Sequence, residues 1–504
     1  MRTKKAIYNI ITNILLQLIV ILYGFVVPKI IINNYGSEVN GLMSSITQFL
    51  GYISLIEAGF GGIVQFLLYK PIAKKDKKTI LDILSTSKKF FTKVSIIFCI
   101  YVALLCFIYP LIINTKFDSI FTVSLILIIA INIFSEYYFG LVYRIYLLAE
   151  QKKYIIAIFS IISYALNIIV IVALSKSNIS VHLLKLISTL LFTLRPLLQL
   201  WYVKKKYNIN LKEGNSNYFI KQKWDALAQH IASVIHNGTD ITILSIFSNL
   251  INVSIYTVYY LVVSGIKKII SIFFDSISSG FGDIIARNEK QRLKEVFSIS
   301  ETIYYTLVTI IFSCTYLLIT PFVSIYTKNV TDAVYTQELF GYLIVISELI
   351  WAFRLPYSSI TLSAGHYKET RNGAIVECVV NVVLSILLVK KYGLIGVTIG
   401  TIAAMTIRTI EFIYHSSKYV LNRSILIPIK RIAIMIVEMV MIIIIHNYLP
   451  LIDYTNYYTW IINALIIFGV SCLVCILNFI FYFSDFKKIC KLFKDIFKKR
   501  RRVK

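Results

Sequence analysis

Fourteen apolar stretches follow one another along the chain, most at or above the ~20 residues that carry a helix across a bilayer. Inside lipid, every backbone N–H and C=O must be satisfied within its own segment, so runs of this length fold as helices. Composition agrees. With 58% of residues hydrophobic and 15% charged, the chain lies outside the range of soluble domains. The fold expected is an all-α polytopic membrane protein of about 14 transmembrane helices.

The connecting loops alternate in charge. Those on the side of the N-terminus hold 38 Lys and Arg, and those on the opposite side hold 5. The positive-inside rule then puts both termini in the cytoplasm, with the chain threaded through a cytoplasmic (inner) membrane. This sorting also accounts for most of the net charge of +27, so no nucleic acid is needed as a partner. The outward loops are about ten residues or fewer, which makes them connections rather than domains. The apolar run after Met1–Lys5 is too long for a signal-peptide core and reads as a retained first span. Seven cysteines, an odd number scattered in apolar segments, offer no disulfide framework, and Cys472-Leu-Val-Cys475 reads as helix packing. In the tail, Phe486, Ile489, Cys490, Phe493, Ile496 and Phe497 recur at helical spacing among lysines, the pattern of a helix lying on the inner leaflet.

One stretch does not suit a plain span. Gly51-Tyr-Ile-Ser-Leu-Ile-Glu57-Ala-Gly59-Phe60-Gly61-Gly62 sets an acid and four glycines inside span 2 (40–69). Polar groups and broken helix packing at membrane depth are expensive, so they mark a function or a shielded contact. A shortened echo, Asp275-Ser-Ile-Ser-Ser-Gly280-Phe281-Gly282, lies in span 8 (253–285), with Gly280 standing 221 positions after Gly59. Pro321 follows Pro110 by 211 positions, and Asn381 follows Asn167 by 214. Three markers in one order point to duplication of a six-span unit. Six is even, so both copies enter from the same face, as parallel repeats with a site between them near the midplane. The expected organisation is an N-terminal six-helix lobe (1–203), a cytoplasmic linker (204–224), a C-terminal six-helix lobe (225–415), two further helices (416–483) and a basic tail (484–504).

Enzyme motifs are missing from the sequence. No glycine precedes a lysine, so there is no P-loop; no HExxH metal helix occurs, and no carboxylate pair has the spacing for a metal-held sugar nucleotide. Neither an enzyme nor a cofactor or metal is expected. Polar stripes on the spans carry the positive signal. Tyr260, Ser264, Lys267, Ser271, Asp275 and Ser278 share one face of span 8; Gln229, Ser233, His236 and Asp240 share one face of span 7 (225–248); Asn9, Asn13 and Gln17 share one face of span 1 (6–33). Lys267 and Lys268 stand halfway along their apolar run, where a lysine costs roughly 3 kcal/mol. They bind an anion in a solvated cavity, or one of them pairs with Asp275. His236 and Asp240 form either a protonatable pair or a packing contact. Arg144, Arg195 and Arg408, near cytoplasmic ends, are expected to snorkel, whereas Glu348 and Arg354 are more central.

Tyr35-Gly36-Ser-Glu38-Val-Asn-Gly41 followed by Leu55-Ile-Glu57-Ala-Gly59-Phe-Gly61 resembles the span 1–2 signature of Wzx-type polysaccharide flippases, in the superfamily of multidrug, oligosaccharidyl-lipid and polysaccharide exporters. Asn381 and Lys391-Tyr392-Gly393-Leu-Ile-Gly396-Val-Thr-Ile-Gly400 are similar to the family's span 11–12 pattern. The second half departs from it: Ser278, not an acid, stands two residues before Gly280, and Asp275 comes a turn earlier. The resemblance implies two lobes working by alternating access on a polyprenyl-diphosphate-linked oligosaccharide, for assembly of cell-surface polysaccharide such as O-antigen. Membrane lipids and polysaccharide polymerase machinery are the further partners it implies. Helices 1, 2, 7 and 8 line the lumen in that family. On this reading the substrate contacts are Lys267, Lys268, Ser264, Ser271, Tyr260, Gln17, Asn13, His236 and Gln229. Glu57, Asp240, Asp275, Glu348 and Arg354 are the gating or ion-coupling candidates, and Gly59, Gly61, Gly280 and Gly282 are hinge or close-packing positions. A cation-coupled multidrug exporter, with Asp240, Asp275 or Glu57 as its coupling site, and a membrane glycosyltransferase or polymerase are the alternatives.

Overall fold

The computed structural model describes residues 2–57, 59–215, 234, 238–278, 280–483 and 485–487. Helices dominate, and no strand occurs among the described residues. The first half runs α1 (Arg2–Tyr35), α2 (Ser37–Gly51), α3 (Ser54–Glu57), α4 (Phe60–Lys74), α5 (Lys77–Ile112), α6 (Ser119–Ser135), a π-helical turn (Glu136–Gly140), α7 (Leu141–Ala149), α8 (Lys153–Leu174) and α9 (Val181–Tyr207). The second runs α10 (Gly238–Phe247), α11 (Leu250–Ser278), α12 (Phe281–Ala286), α13 (Lys290–Tyr326), α14 (Glu338–Ser363), α15 (Arg371–His415), α16 (Leu426–His446), α17 (Tyr457–Val474) and α18 (Leu477–Phe481).

Eleven of the described helical segments are long and apolar enough to cross a membrane. One of them, Arg371–Val420, is two helices joined at Gly393, whose backbone leaves the helical region at φ 51° and ψ −123°. α16, at 21 residues, is also long enough to cross but carries Lys430, Arg431 and Glu438. Half of expected span 7 lies outside the described residues, and α10 is its described end. The chain is an all-α polytopic membrane protein.

The described chain forms two compact units, Met1–Thr257 with Val330–Ala333, and Val258–Asn329 with Val334–Lys504. Within each unit, the repeat marker seen in the sequence has the same job. Asn167 on α8 donates its side-chain amide to the carbonyl and the hydroxyl of Ser188 on α9, both at 3.0 Å. Asn381 donates to the Thr401 hydroxyl at 2.9 Å, across the kink at Gly393. Thr401 stands 213 positions after Ser188. Both asparagines are fully buried. In hydrocarbon an unpaired amide is costly, so a side-chain pin of this kind fixes helix register.

Span 2, read from the sequence as 40–69 with broken helix packing at its glycines, is interrupted: α2 stops at Gly51, α3 lasts four residues, and α4 begins only after Gly59. Gly59 has φ 78°, a left-handed conformation that glycine adopts at no steric cost. Gly280 does not repeat this: its φ of −80° is helical, so the echo is one of sequence and not of backbone. Nor is close packing the reason for glycine at Gly282, where a Cβ would meet nothing within 4 Å. Gly61 is tighter, since a Cβ there would stand 3.1 Å from Glu57 Oε1 and 3.4 Å from Ile145 Cδ1.

Candidate functional site

Lys267 is the most telling of the charged residues. It sits midway along α11, and its Nζ lies 2.8 Å from Glu348 Oε2 on α14. One turn further along α14, the Trp351 ring faces the same ammonium at 4.8 Å from its centroid. The two side chains are only 16% and 6% exposed, so an unpaired charge at either would be costly. The contact is a charge pair, and Glu348 Oε2 has no hydrogen-bond partner among the described residues. Lys267 therefore has a cation–π face on one side and a carboxylate counter-charge on another. The sequence offered Asp275 as a partner for Lys267 or Lys268, as the alternative to anion binding, and its side chain lies outside the described residues. Glu348, 81 positions away in sequence, takes the role.

Lys268 is exposed and points elsewhere, because neighbouring helical positions are ~100° apart. Ser264 and Ser271, on the Lys267 face, donate their hydroxyls to the Leu261 and Lys267 carbonyls of their own helix, at 3.1 and 2.8 Å. Each keeps oxygen lone pairs that can accept from a hydroxyl-bearing ligand. Tyr260 is half-buried two turns from Lys267.

A second charge group lies deeper in the same unit. Arg354 on α14 reaches Glu377 on α15 at 2.6 Å; Arg408, 2% exposed, lies 3.6 Å from Glu377 and 2.5 Å from Glu411. Arg408 also donates to the Thr370 carbonyl at 2.7 Å. Arg408 does not snorkel, contrary to expectation. Glu411 on its own helix and Glu377 across the kink offer carboxylates, and a buried guanidinium gains more from them than from stretching toward water.

In the other unit, Arg195 on α9 and Arg144 on α7 do not simply snorkel either. They bind opposite oxygens of Glu136, Arg195 to Oε2 at 2.5 Å and Arg144 to Oε1 at 3.0 Å. Asn13 and Gln17 join them in lining one cavity of about 260 Å³. Asn9, on the same stripe, is structural: it accepts from the Tyr154 amide at 2.8 Å and donates to the Gln151 carbonyl at 3.1 Å, clamping the turn before α8. Glu57 Oε2 accepts from the Tyr137 hydroxyl at 3.3 Å. Asp240 is buried and accepts from Tyr256 at 2.8 Å. Its expected partner His236 lies outside the described residues, as does Gln229.

Sequence reasoning missed Glu301. This fully buried acid on α13 takes both Nη atoms of Arg423 at 2.7 Å, with the Tyr357 hydroxyl at 2.6 Å. It was overlooked because it stands near a span end, where an acid draws little notice, and Arg423 lies in a loop. Glu377 was missed likewise.

No protein-family model matches the sequence, and no curated protein matches it. Solved structures do match. The chain is similar to a lipid II flippase, MurJ, in an inward closed conformation, with a TM-score of 0.70 and 16% identity over 95% of this chain and 99% of that one. It is also similar to a multidrug resistance MATE family transporter of the MOP superfamily. The inward-facing form gives a TM-score of 0.63 at 15% identity, over 79% of this chain and 94% of that one. The outward-facing form gives 0.57 at 13%, over 82% and 95%. At such identities the likeness is one of fold.

Proposed function

We propose that the chain is a flippase that moves a polyprenyl-diphosphate-linked oligosaccharide from the cytoplasmic to the outer leaflet of the inner membrane. It would work by alternating access between the lobes 1–203 and 225–415. The observation that carries this reading is Lys267, a cation held halfway along an apolar helix by Glu348 and Trp351. A diphosphate entering beside Lys267 would replace Glu348 as counter-ion, and Glu348 would pair with Lys267 again after release. The ammonium is then never bare in a low-dielectric site, which would cost several kcal/mol. Ser264, Ser271 and Tyr260 supply hydrogen-bonding groups for sugar on the same face, while the polyprenyl tail stays in lipid. Similarity to a lipid II flippase over nearly the full length of both chains supports a lipid-linked glycan substrate.

A second reading is a cation-coupled drug exporter, favoured by the same fold in MATE transporters and by the buried acids Asp240 and Glu348. Leaflet-resolved transport in proteoliposomes separates the two. Lys267→Gln should lower glycan-lipid flipping about tenfold or more, the effect of losing a charge-assisted contact. It should also lower stability, because Glu348 is left buried alone. Adding Glu348→Gln should restore stability without restoring transport. Wild-type flipping by the double variant would remove Lys267 from the substrate path. Drug efflux without glycan-lipid flipping would select the exporter, and sugar transfer by the purified protein would point to an enzyme.

A further inference from the structure

The cavity in the N-terminal unit has a charge imbalance that the C-terminal unit does not share. Arg144, Arg195 and Lys153 line it against a single carboxylate, Glu136. Lys153 makes no ion pair among the described residues, and Glu136 already spends one oxygen on each arginine. Among the described residues, three polar atoms at this cavity are buried without a hydrogen-bond partner: Arg195 Nε, Gln17 Oε1 and Gln199 Oε1. Gln199 is 1% exposed, so water does not reach it from bulk. An excess of two positive charges and three orphaned polar atoms in one hole are unusual in a folded interior.

Local structure holds this geometry in place. Glu136 opens the π-helical turn Glu136–Gly140, a device that re-aims side chains and recurs at functional sites. Gly140 lies against α9 so closely that a Cβ there would stand 2.6 Å from Pro196 Cβ. That approach sets Glu136 opposite Arg195, the neighbour of Pro196.

The sequence repeat shows what is missing. Arg354 stands 210 positions after Arg144, and Arg408 stands 213 after Arg195. Those two arginines meet two carboxylates, Glu377 and Glu411. At the corresponding offset of 213, the N-terminal unit has Tyr164 and Leu198 in their place. Tyr164 lines the cavity. Glu136 has its own counterpart 212 positions on, Glu348, which pairs with Lys267, so one unit fills its arginine pair with two further carboxylates while the other keeps the arginines, has Tyr164 and Leu198 where those acids stand, and has a hole beside them.

We propose that this hole is an oxyanion-binding site, taking a phosphate or carboxylate group between Arg144, Arg195 and Lys153. Gln17 and Gln199 would accept from hydroxyls on the same ligand. About 260 Å³ is room for one headgroup-sized moiety, just below the range typical of drug-sized ligands. The site does not depend on Lys267 or on the transport reading.

The test uses the full chain in phosphatidylcholine nanodiscs, titrated with inorganic phosphate against chloride at matched ionic strength. Saturable binding near one phosphate per chain is expected, with a matching rise in Tm. Arg144→Gln, at the half-exposed rim, should weaken it about tenfold, as loss of a charged hydrogen-bonding group does. Tyr164→Glu, which supplies the carboxylate that the other unit has as Glu377, should abolish binding and melt no lower than the wild type. The Lys267→Gln/Glu348→Gln chain should bind phosphate as the wild type does. A second arm replaces part of the lipid by phosphatidylglycerol without added phosphate. Stabilisation there that competes with phosphate identifies a lipid headgroup as the occupant; none, with phosphate still binding, identifies a free anion. No saturable binding of phosphate together with no effect of phosphatidylglycerol overturns the site, as does binding unchanged in both variants.

Discussion

Glu301→Ala should destabilise the protein by about 3–5 kcal/mol, the cost of stripping one partner from a buried ion pair. The full range is expected because Glu301 serves two guanidiniums. Arg423 binds both its oxygens at 2.7 Å, and Arg431 Nε lies 3.6 Å from Oε2. Arg431 in turn reaches Asp485 at 2.9 Å and the Thr302 hydroxyl at 2.7 Å, so α13, α16 and the segment after α18 meet around its guanidinium. Alanine leaves Arg423 buried with no carboxylate and robs the Tyr357 hydroxyl of its acceptor. The measurement is the denaturation midpoint in detergent, with folded yield by size-exclusion chromatography. Glu301→Gln should cost less, since the amide oxygen still accepts from Tyr357 or Arg423. Glu301→Leu combined with Arg423→Leu should recover part of the loss, because removing both charges removes the uncompensated one. A loss below about 1 kcal/mol for Glu301→Ala would show that water screens the cluster.

This cluster marks where sequence reading stops. A period of 3.6 residues tells which side of a helix is polar, and it put Lys267, Ser264 and Ser271 on one face correctly. It says nothing about which neighbouring helix supplies the counter-charge. Lys267 with Glu348, Arg354 with Glu377 and Glu301 with Arg423 are joined across 81, 23 and 122 positions. Arg195 and Arg408 were therefore expected to reach for water, the default for an arginine whose partner is unseen. Where partner and residue recur together, the sequence does better. Asn167 and Asn381 were legible as repeat markers, and Ser188 and Thr401 as partners follow at nearly the same spacing. The glycines around Glu57 announced an irregular backbone, yet only Gly59 has the positive φ that breaks the span. Gly280 lies within a similar string of residues and stays helical, because a glycine permits a left-handed turn without requiring one.

The glycine that matters most stands earlier, in the motif Tyr35–Gly41. Gly36, at φ 91°, ends α1, and Asp332 then caps the next helix, accepting from the Ser37 amide at 2.7 Å and its hydroxyl at 2.8 Å. So anchored, α2 runs flush against the first turn of α11, where Asn40 donates to the Ser254 hydroxyl at 2.8 Å. A Cβ on Gly41 would overlap the Leu250 carbonyl, with its carbon only 2.7 Å away. The obstacle is backbone, so no rotamer change relieves it, and the cap at Ser37 prevents α2 from sliding clear. Gly41→Ala should therefore cost about 1–3 kcal/mol as an overpacked contact, and Gly41→Leu should leave little folded protein. Gly62→Ala is the matched control. Nothing lies within 4 Å of a Cβ there, and the residue is inside α4, so alanine should be neutral or gain up to about 1 kcal/mol from helix propensity. Melting the three variants side by side decides the matter. If Gly41→Ala melts with the wild type, the close approach of α2 to Leu250 is not what this glycine is for, and a role in transport becomes the better explanation.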